Sequence, residues 1–302
     1  MTTRMFPLLV FAALGCARTP VSDRPQVGVT LLTEAHVFYQ DLKRGMLAAA
    51  ESLDVDLHIV AGEWDLARQT AQVQSFLTRK MDAIVIAPVN SSGIVSAVEE
   101  ARAAGIPVFT ADIAADGGGV VAHIASDNRQ GGRLLGEFLA QQLGGRGAVV
   151  VLDQPTVTSV QDRVAGFREA LASHPGISIV ATPAVERGLR DVAKQKTDNL
   201  LTGGRPLDAI FGSNDDCALG ALASVQAAGR DGIAIVGYDA TPEARTAIAG
   251  GTALLADAVQ HPEEIGRRTV ETVAAYLRGE TVPPVIAVPV SIVTKDSLLA
   301  GR

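Results

Sequence analysis

Residues 214–216 read Asn-Asp-Asp, at the point where the apolar run Leu207 to Ser213 gives way to a small-residue segment. Side-chain oxygens placed this way admit four chemistries: an acid/base pair, half of a metal site, a helix cap, or a pocket wall that reads hydroxyl groups. The same placement recurs along the chain, with Asp112 after "VFTA", Asp239 after "VGY" and Gln260 after "ADAV". In open α/β sheets ligands bind outside the carboxyl ends of the strands, so Asp112, Asn214, Asp239 and Gln260 together define a candidate site. Asn and Gln offer donor and acceptor in one group, and Asp accepts two hydroxyl protons, which is the inventory a polyhydroxylated ligand needs. Catalysis fits less well. Adjacent acids at a helix start point in different directions, and no nucleophile, cofactor loop or metal cluster accompanies them. Within the triplet, Asn214 is expected to be the ligand contact, Asp215 the N-cap of the following helix, and Asp216 a first-turn charge favoured by the helix dipole.

The elements that must position these residues follow from periodicity. Short apolar runs such as "QVGVTLL", "DAIVIAP", "GAVVVLD" and "IAIVGYD" alternate with longer amphipathic stretches. Continuous apolar strands in βα order imply parallel sheets covered by helices on both faces. Helices are expected over Phe38 to Leu53, Asp65 to Arg79, Ser92 to Ala104, Arg129 to Leu143, Gln161 to Ala172, Arg190 to Leu201, Asp215 to Ala228, Pro242 to Ala249 and Pro262 to Leu277, with a last strand around Val285 to Val293. The alternation restarts after "VVAHIASDN", so two α/β halves are indicated. No phosphate-loop, dinucleotide, zinc-protease or nucleophile-elbow pattern is present, and the five histidines show no ligand spacing. No cofactor and no metal are expected.

The 302 residues carry a formal net charge of -7, with Lys and Arg scattered, so nucleic acid is not an expected partner. Ahead of the first strand, Arg4 is followed by an apolar or small run from Met5 to Gly15 that ends in "AALGC". The run is too short for a permanent membrane span and reads as a cleaved signal over residues 1–15. It resembles a bacterial lipoprotein signal, which would make Cys16 the lipidated first residue of the mature chain. Contact with a membrane is expected only through such an anchor. Cys217 would then be the only remaining thiol, excluding an internal disulfide, and its place in a small-residue helix marks it as a buried core residue.

The strings "HIASDNRQGG", "QDRVAGFREAL", "FGSNDDCALGAL", "VGYDATPEA" and "QHPEEIGRRTVETV" resemble, in order, those of the ribose/galactose-type periplasmic sugar-binding proteins, relatives of lactose-repressor ligand-binding domains. The resemblance runs from Gln26 to Lys295 and implies the type I periplasmic binding protein fold: α/β, with two Rossmann-like lobes joined by a three-crossover hinge. It places 24–126 with 259–284 in the first lobe and 127–258 with 285–302 in the second. Crossings are implied near 125–127, 257–260 and 282–288. Matching motif to motif implies ligand contacts at Asp112, Arg163, Asn214, Asp239 and Gln260, with Phe38 and Tyr39 as the aromatic pair covering apolar sugar faces. His36 stands near a usual Asn, as a contact or as an exposed loop residue.

Two positions depart from the pattern. Ile113 replaces an Arg found in many pentose and hexose binders. A second-lobe aromatic expected near Gly188 is missing. Trp64 could supply a ring there, although a lobe-surface position is the simpler expectation for it. What the resemblance implies is a monomeric, exported, non-enzymatic receptor that captures a sugar or sugar-like polyol and hands it to ABC permease subunits. The alternative is a sensing module for a chemoreceptor or histidine kinase.

Overall fold

The computed structural model describes residues 24–204, 206–230 and 232–300. The signal expected over residues 1–15 and the expected lipidation site Cys16 lie outside the described residues. The first sheet is built from β1 (Gln26–Leu31), β2 (Asp56–Ala61), β3 (Ala83–Ile86), β4 (Val108–Ala111) and β5 (Ala122–Ser126). Helices α1 (Val37–Leu53), α2 (Leu66–Thr78) and α3 (Val95–Ala103) connect the first four of these strands. After α4 (Asn128–Gln142) a second sheet begins, with β6 (Arg146–Leu152), β7 (Gly176–Ala181), β8 (Ala209–Gly212), β9 (Ala234–Asp239) and β10 (Leu254–Val259). Its helices are α5 (Thr158–Ala172), α6 (Arg190–Thr202), α7 (Asp215–Ala227) and α8 (Pro242–Ala249). The chain then runs through α9 (Pro262–Leu277), β11 (Val285–Val288), β12 (Ser291–Thr294) and α10 (Lys295–Ala300).

Each sheet has six strands, in the orders β11-β5-β4-β3-β1-β2 and β12-β10-β9-β8-β6-β7. The first is parallel throughout; in the second, only the edge strand β12 runs antiparallel, against β10. Strands β3, β4 and β8 are buried at every residue, as continuous apolar runs covered on both faces require. The two-lobe α/β architecture read from the sequence is therefore the observed one. Helix bounds agree within three residues of expectation, since amphipathic period and the Pro or Gly at each joint are local signals.

The final strand differs. The single strand expected over 285–293 is two strands in two sheets: β11 pairs with β5 in the first, and β12 with β10 in the second. Residues 285–288 thus belong with the first sheet, and the third crossing falls at Pro289 and Val290, beyond the 284/285 boundary expected. Proline lacks the N–H that would continue the ladder, and the Val290 amide turns to Gln130 Oε1 at 3.1 Å. The first crossing lies at Asp127, between β5 and α4, and the second at Gln260 and His261, between β10 and α9.

Close helix pairing sets the second lobe. At Gly132 on α4 a Cβ would overlap the carbonyl oxygen of Arg163, and at Gly166 on α5 it would overlap that of Arg129. The two helices cross backbone to backbone only because both positions lack a side chain. Gly132→Ala is expected to destabilise the fold by about 1–3 kcal/mol, the usual cost of overpacking. Urea denaturation checks this as a lower midpoint at unchanged slope.

Candidate functional site

One cavity of about 180 Å³ lies between the lobes and is lined by all eight side chains singled out from the sequence: His36, Phe38, Tyr39, Asp112, Arg163, Asn214, Asp239 and Gln260. The first lobe supplies the aromatic wall. His36 is the N-cap of α1, its Nδ1 accepting from the Phe38 amide at 3.2 Å. A neutral ring that accepts at Nδ1 carries its proton on Nε2, which makes that atom a donor. Phe38 and Tyr39 follow in the first turn, both buried, their rings edge to face at 5.2 Å. The Tyr39 hydroxyl donates to Asp112 Oδ2 at 2.6 Å.

Asp112 follows β4 in a left-handed conformation, φ 65°, which turns its side chain out of the strand direction. Burial pushes its carboxyl up to about 6, against the opposing pull of the Tyr39 hydroxyl and the Arg163 charge. Ile113 beside it is buried and lines the same wall, an apolar side chain at the position where the sequence resemblance implies an Arg in many sugar binders.

The second lobe contributes a guanidinium. Arg163 on α5 is 5% exposed. Its Nε donates to Asn128 Oδ1 at 2.8 Å and its Nη1 to the Ser213 carbonyl at 2.9 Å, with Asp239 Oδ1 at 3.7 Å. The Tyr238 ring lies 3.9 Å beneath it, a cation–π contact. Asp239, the last residue of β9, accepts from Gln260 Nε2 at 2.6 Å. Gln260 Oε1 in turn accepts from Ser126 Oγ at 2.8 Å, so the first and second crossings are tied through the site itself.

Asn214 lines the cavity as expected, but the capping roles differ from the sequence reading. Asn214 itself is the N-cap of α7: its Oδ1 accepts from the Cys217 amide at 2.8 Å and its Nδ2 donates to the Gly188 carbonyl at 3.1 Å. Asp215, expected as the cap, is a first-turn residue, 2% exposed, accepting from the Thr241 amide at 2.7 Å. Asp216 is in the first turn as expected, lines the cavity and pairs with Arg190 at 3.0 Å. Cys217 is a buried thiol whose ionisation burial pushes up to about 12, so it carries no nucleophilic role.

Several lining residues escaped the sequence reading. Trp64, expected on the lobe surface, is half-buried in the cavity wall, held by left-handed backbone at Glu63 and itself (φ 51° and 63°). Gln154, Ser159 and Arg187 also line it. Gln154 follows β6 two residues on, a strand-end polar position of the kind used to find the others, whereas Arg187 sits in a 3-10 turn, Glu186–Gly188, with no periodic signal. The missing aromatic near Gly188 has a steric reason. A Cβ there would lie 2.6 Å from Asn214 Nδ2 and 2.8 Å from Gln154 Oε1, and φ is 60°.

The chain is similar to known proteins along most of its length. Residues 27–281 match the family model of the periplasmic binding protein domain. The chain is 34% identical over 271 residues to the ribose import binding protein of Escherichia coli K12, covering 89% of this chain and 90% of that protein. It is 28% identical to a xylitol-binding protein of Mycolicibacterium smegmatis, over 92% of this chain and 79% of that one. Among solved structures, the Caulobacter myo-inositol binding protein bound to myo-inositol superposes with a TM-score of 0.86 at 26% identity, over 93% of this chain and 97% of that chain.

The Asp112 carboxyl has a stability consequence. Its pKa is higher folded than unfolded, so the folded state holds the proton longer and stability falls as pH rises from about 4 to about 6. Over that window the loss from Asp112 alone is about 2–3 kcal/mol. Asp112→Asn keeps an acceptor for the Tyr39 hydroxyl and removes this part of the slope, measured by chemical denaturation across the pH range.

Proposed function

The chain belongs to the periplasmic binding protein domain family, and from that premise we propose that its cleft captures a neutral monosaccharide or a polyol of similar size through the eight side chains named above. It is an extracytoplasmic solute-binding protein, a non-catalytic component of ABC-mediated import. The observation that carries the ligand class is the meeting of one buried guanidinium, Arg163, with two carboxylates, Asp112 and Asp239, in a cavity lined from both lobes. Vicinal hydroxyls can donate to the carboxylates and accept from the guanidinium at once, in charge-assisted bonds of the strong kind. Phe38, Tyr39 and Trp64 offer rings to the apolar faces of such a ligand. With two buried carboxylates against one buried cation, a sugar bearing its own carboxylate or phosphate is disfavoured.

The relatives support the class: similar proteins include a ribose import binding protein, a xylitol-binding protein and a binding protein solved with myo-inositol bound. Because polar groups project from both lobes, the ligand favours the closed arrangement and shifts a hinge equilibrium at the three crossings. Calorimetric titration of the purified protein with D-ribose, D-allose, xylitol and myo-inositol tests the reading. At least one is expected to bind, and Arg163→Ala or Asp239→Ala should each weaken it about 10- to 100-fold, the worth of a charge-assisted bond. If no neutral sugar or polyol binds, the reading is wrong.

We propose also that Cys16 carries a lipid, supported by the apolar run and "ALG" that precede it. Growth with a clickable palmitate analogue should label the protein, and Cys16→Ser should abolish the label. Persistent labelling of that variant would overturn the assignment.

A further inference from the structure

Beneath the cleft two acids meet with no cation between them. Asp257 on β10 is fully buried and stands beside Gly237 of β9 in the ladder, while Asp215 reaches the same face from the first turn of α7. A Cβ at Gly237 would overlap Asp257 Oδ2 and lie 3.2 Å from Asp215 Oδ1, so both oxygens converge on the space that glycine leaves. Both of those oxygens are buried and have no hydrogen-bond donor among the described residues. Two ionised carboxylates have only acceptors to offer each other, so a single proton held between them is what satisfies the pair.

The outer oxygens have a definite task. Asp257 Oδ1 accepts from the Ala240 amide at 3.0 Å, and Asp215 Oδ2 from the Thr241 amide at 2.7 Å. These are the two residues that follow Asp239. Asp239 and Ala240 both have positive φ, 126° and 54°, a backbone that L residues keep only when the surroundings hold it. We propose that Asp215 and Asp257 form a carboxyl–carboxylate pair sharing one proton, and that this pair is the positioning device that fixes the 239–241 turn and thereby aims Asp239 into the cleft. The proposal rests on the reading of Asp239 as a ligand contact.

The surroundings favour retention of that proton. Burial raises both carboxyls above the usual range, and each is raised further by the charge of Asp239. From α7, Asp216 is turned to Arg190 and Cys217 stays a thiol. From α8, Glu243 is engaged by Arg190, and Arg245 Nε donates to the Ala240 carbonyl. Strand β12 presents no titratable side chain at 291–294, and Lys295 lies beside Gly251, ahead of β10. Tyr238 points to the opposite face of β9, against Gly131.

Carbon-13 NMR of the aspartate side-chain carboxyls in the ligand-free protein tests the shared proton. One carboxyl of the pair should stay protonated well above the ordinary carboxylate range, and Asp257→Asn should abolish that late titration. Ionisation of both groups in the ordinary carboxylate range overturns the proposal. Amide exchange tests the positioning: Asp257→Ala should speed exchange at Ala240 and Thr241, and Asp257→Asn, which can accept from Ala240 and donate to Asp215, should rescue it. For whichever of D-ribose, D-allose, xylitol and myo-inositol binds, wild-type affinity should fall about tenfold or more as the pair ionises, and Asp257→Asn should lose that alkaline limb. Unchanged exchange in Asp257→Ala, or an alkaline limb that survives Asp257→Asn, overturns it. If none of the four binds the wild type, the ligand reading of Asp239 fails instead, and the carboxyl titration with the amide exchange decides the pair by itself.

Discussion

A guanidinium taken almost wholly out of water is the constraint around which the second lobe and the cleft are arranged. Such a charge is tolerable only if its donors find acceptors and its face finds a compensating partner. Arg163 meets that demand from four directions: Asn128 on α4, the Ser213 carbonyl after β8, Asp239 at the end of β9, and the Tyr238 ring. The partners come from three separate parts of the lobe, α4, the turn after β8, and β9, so the charge can sit there only once the lobe is assembled. The close α4–α5 crossing at Gly132 and Gly166 brings Asn128 and Arg163 within reach of each other.

From that centre the network runs directly into the hinge. Asp239 accepts from Gln260, and Gln260 accepts from Ser126, so two of the three crossings share hydrogen bonds with the ligand wall. A ligand that engages Asp239 therefore bears on the segments about which the lobes would move. On the proposed reading, binding at Asp239 and movement at the crossings would be coupled through these contiguous polar contacts. On the first-lobe side, Tyr39 and Asp112 form a corresponding unit, in which the hydroxyl orients the carboxyl and excludes water from it.

The strand-end logic found four polar residues of the wall because it is a local signal: an apolar run, then a polar residue, then a helix start. Asp112, Asn214, Asp239 and Gln260 all follow it, and all four line the cavity. Arg163, Phe38 and Tyr39 came from motif resemblance, since a buried Arg in a helix looks in sequence like a surface one. Trp64 and Arg187 were missed as wall residues because both depend on left-handed backbone, which a run of residue types does not announce.

By itself the amino-acid sequence determined the alternation of strands and helices, the two-lobed α/β class, the helix limits and the polar strand ends, because each depends on neighbours within a few residues. Only the tertiary structure decided that Asn214, with Gly188 pressed against it, caps α7; that Pro289 splits the last strand between two sheets; and that Asp215 meets Asp257 across Gly237. Those outcomes depend on contacts between segments far apart in the chain, whose geometry exists only after both sheets have formed and the helices have packed onto them.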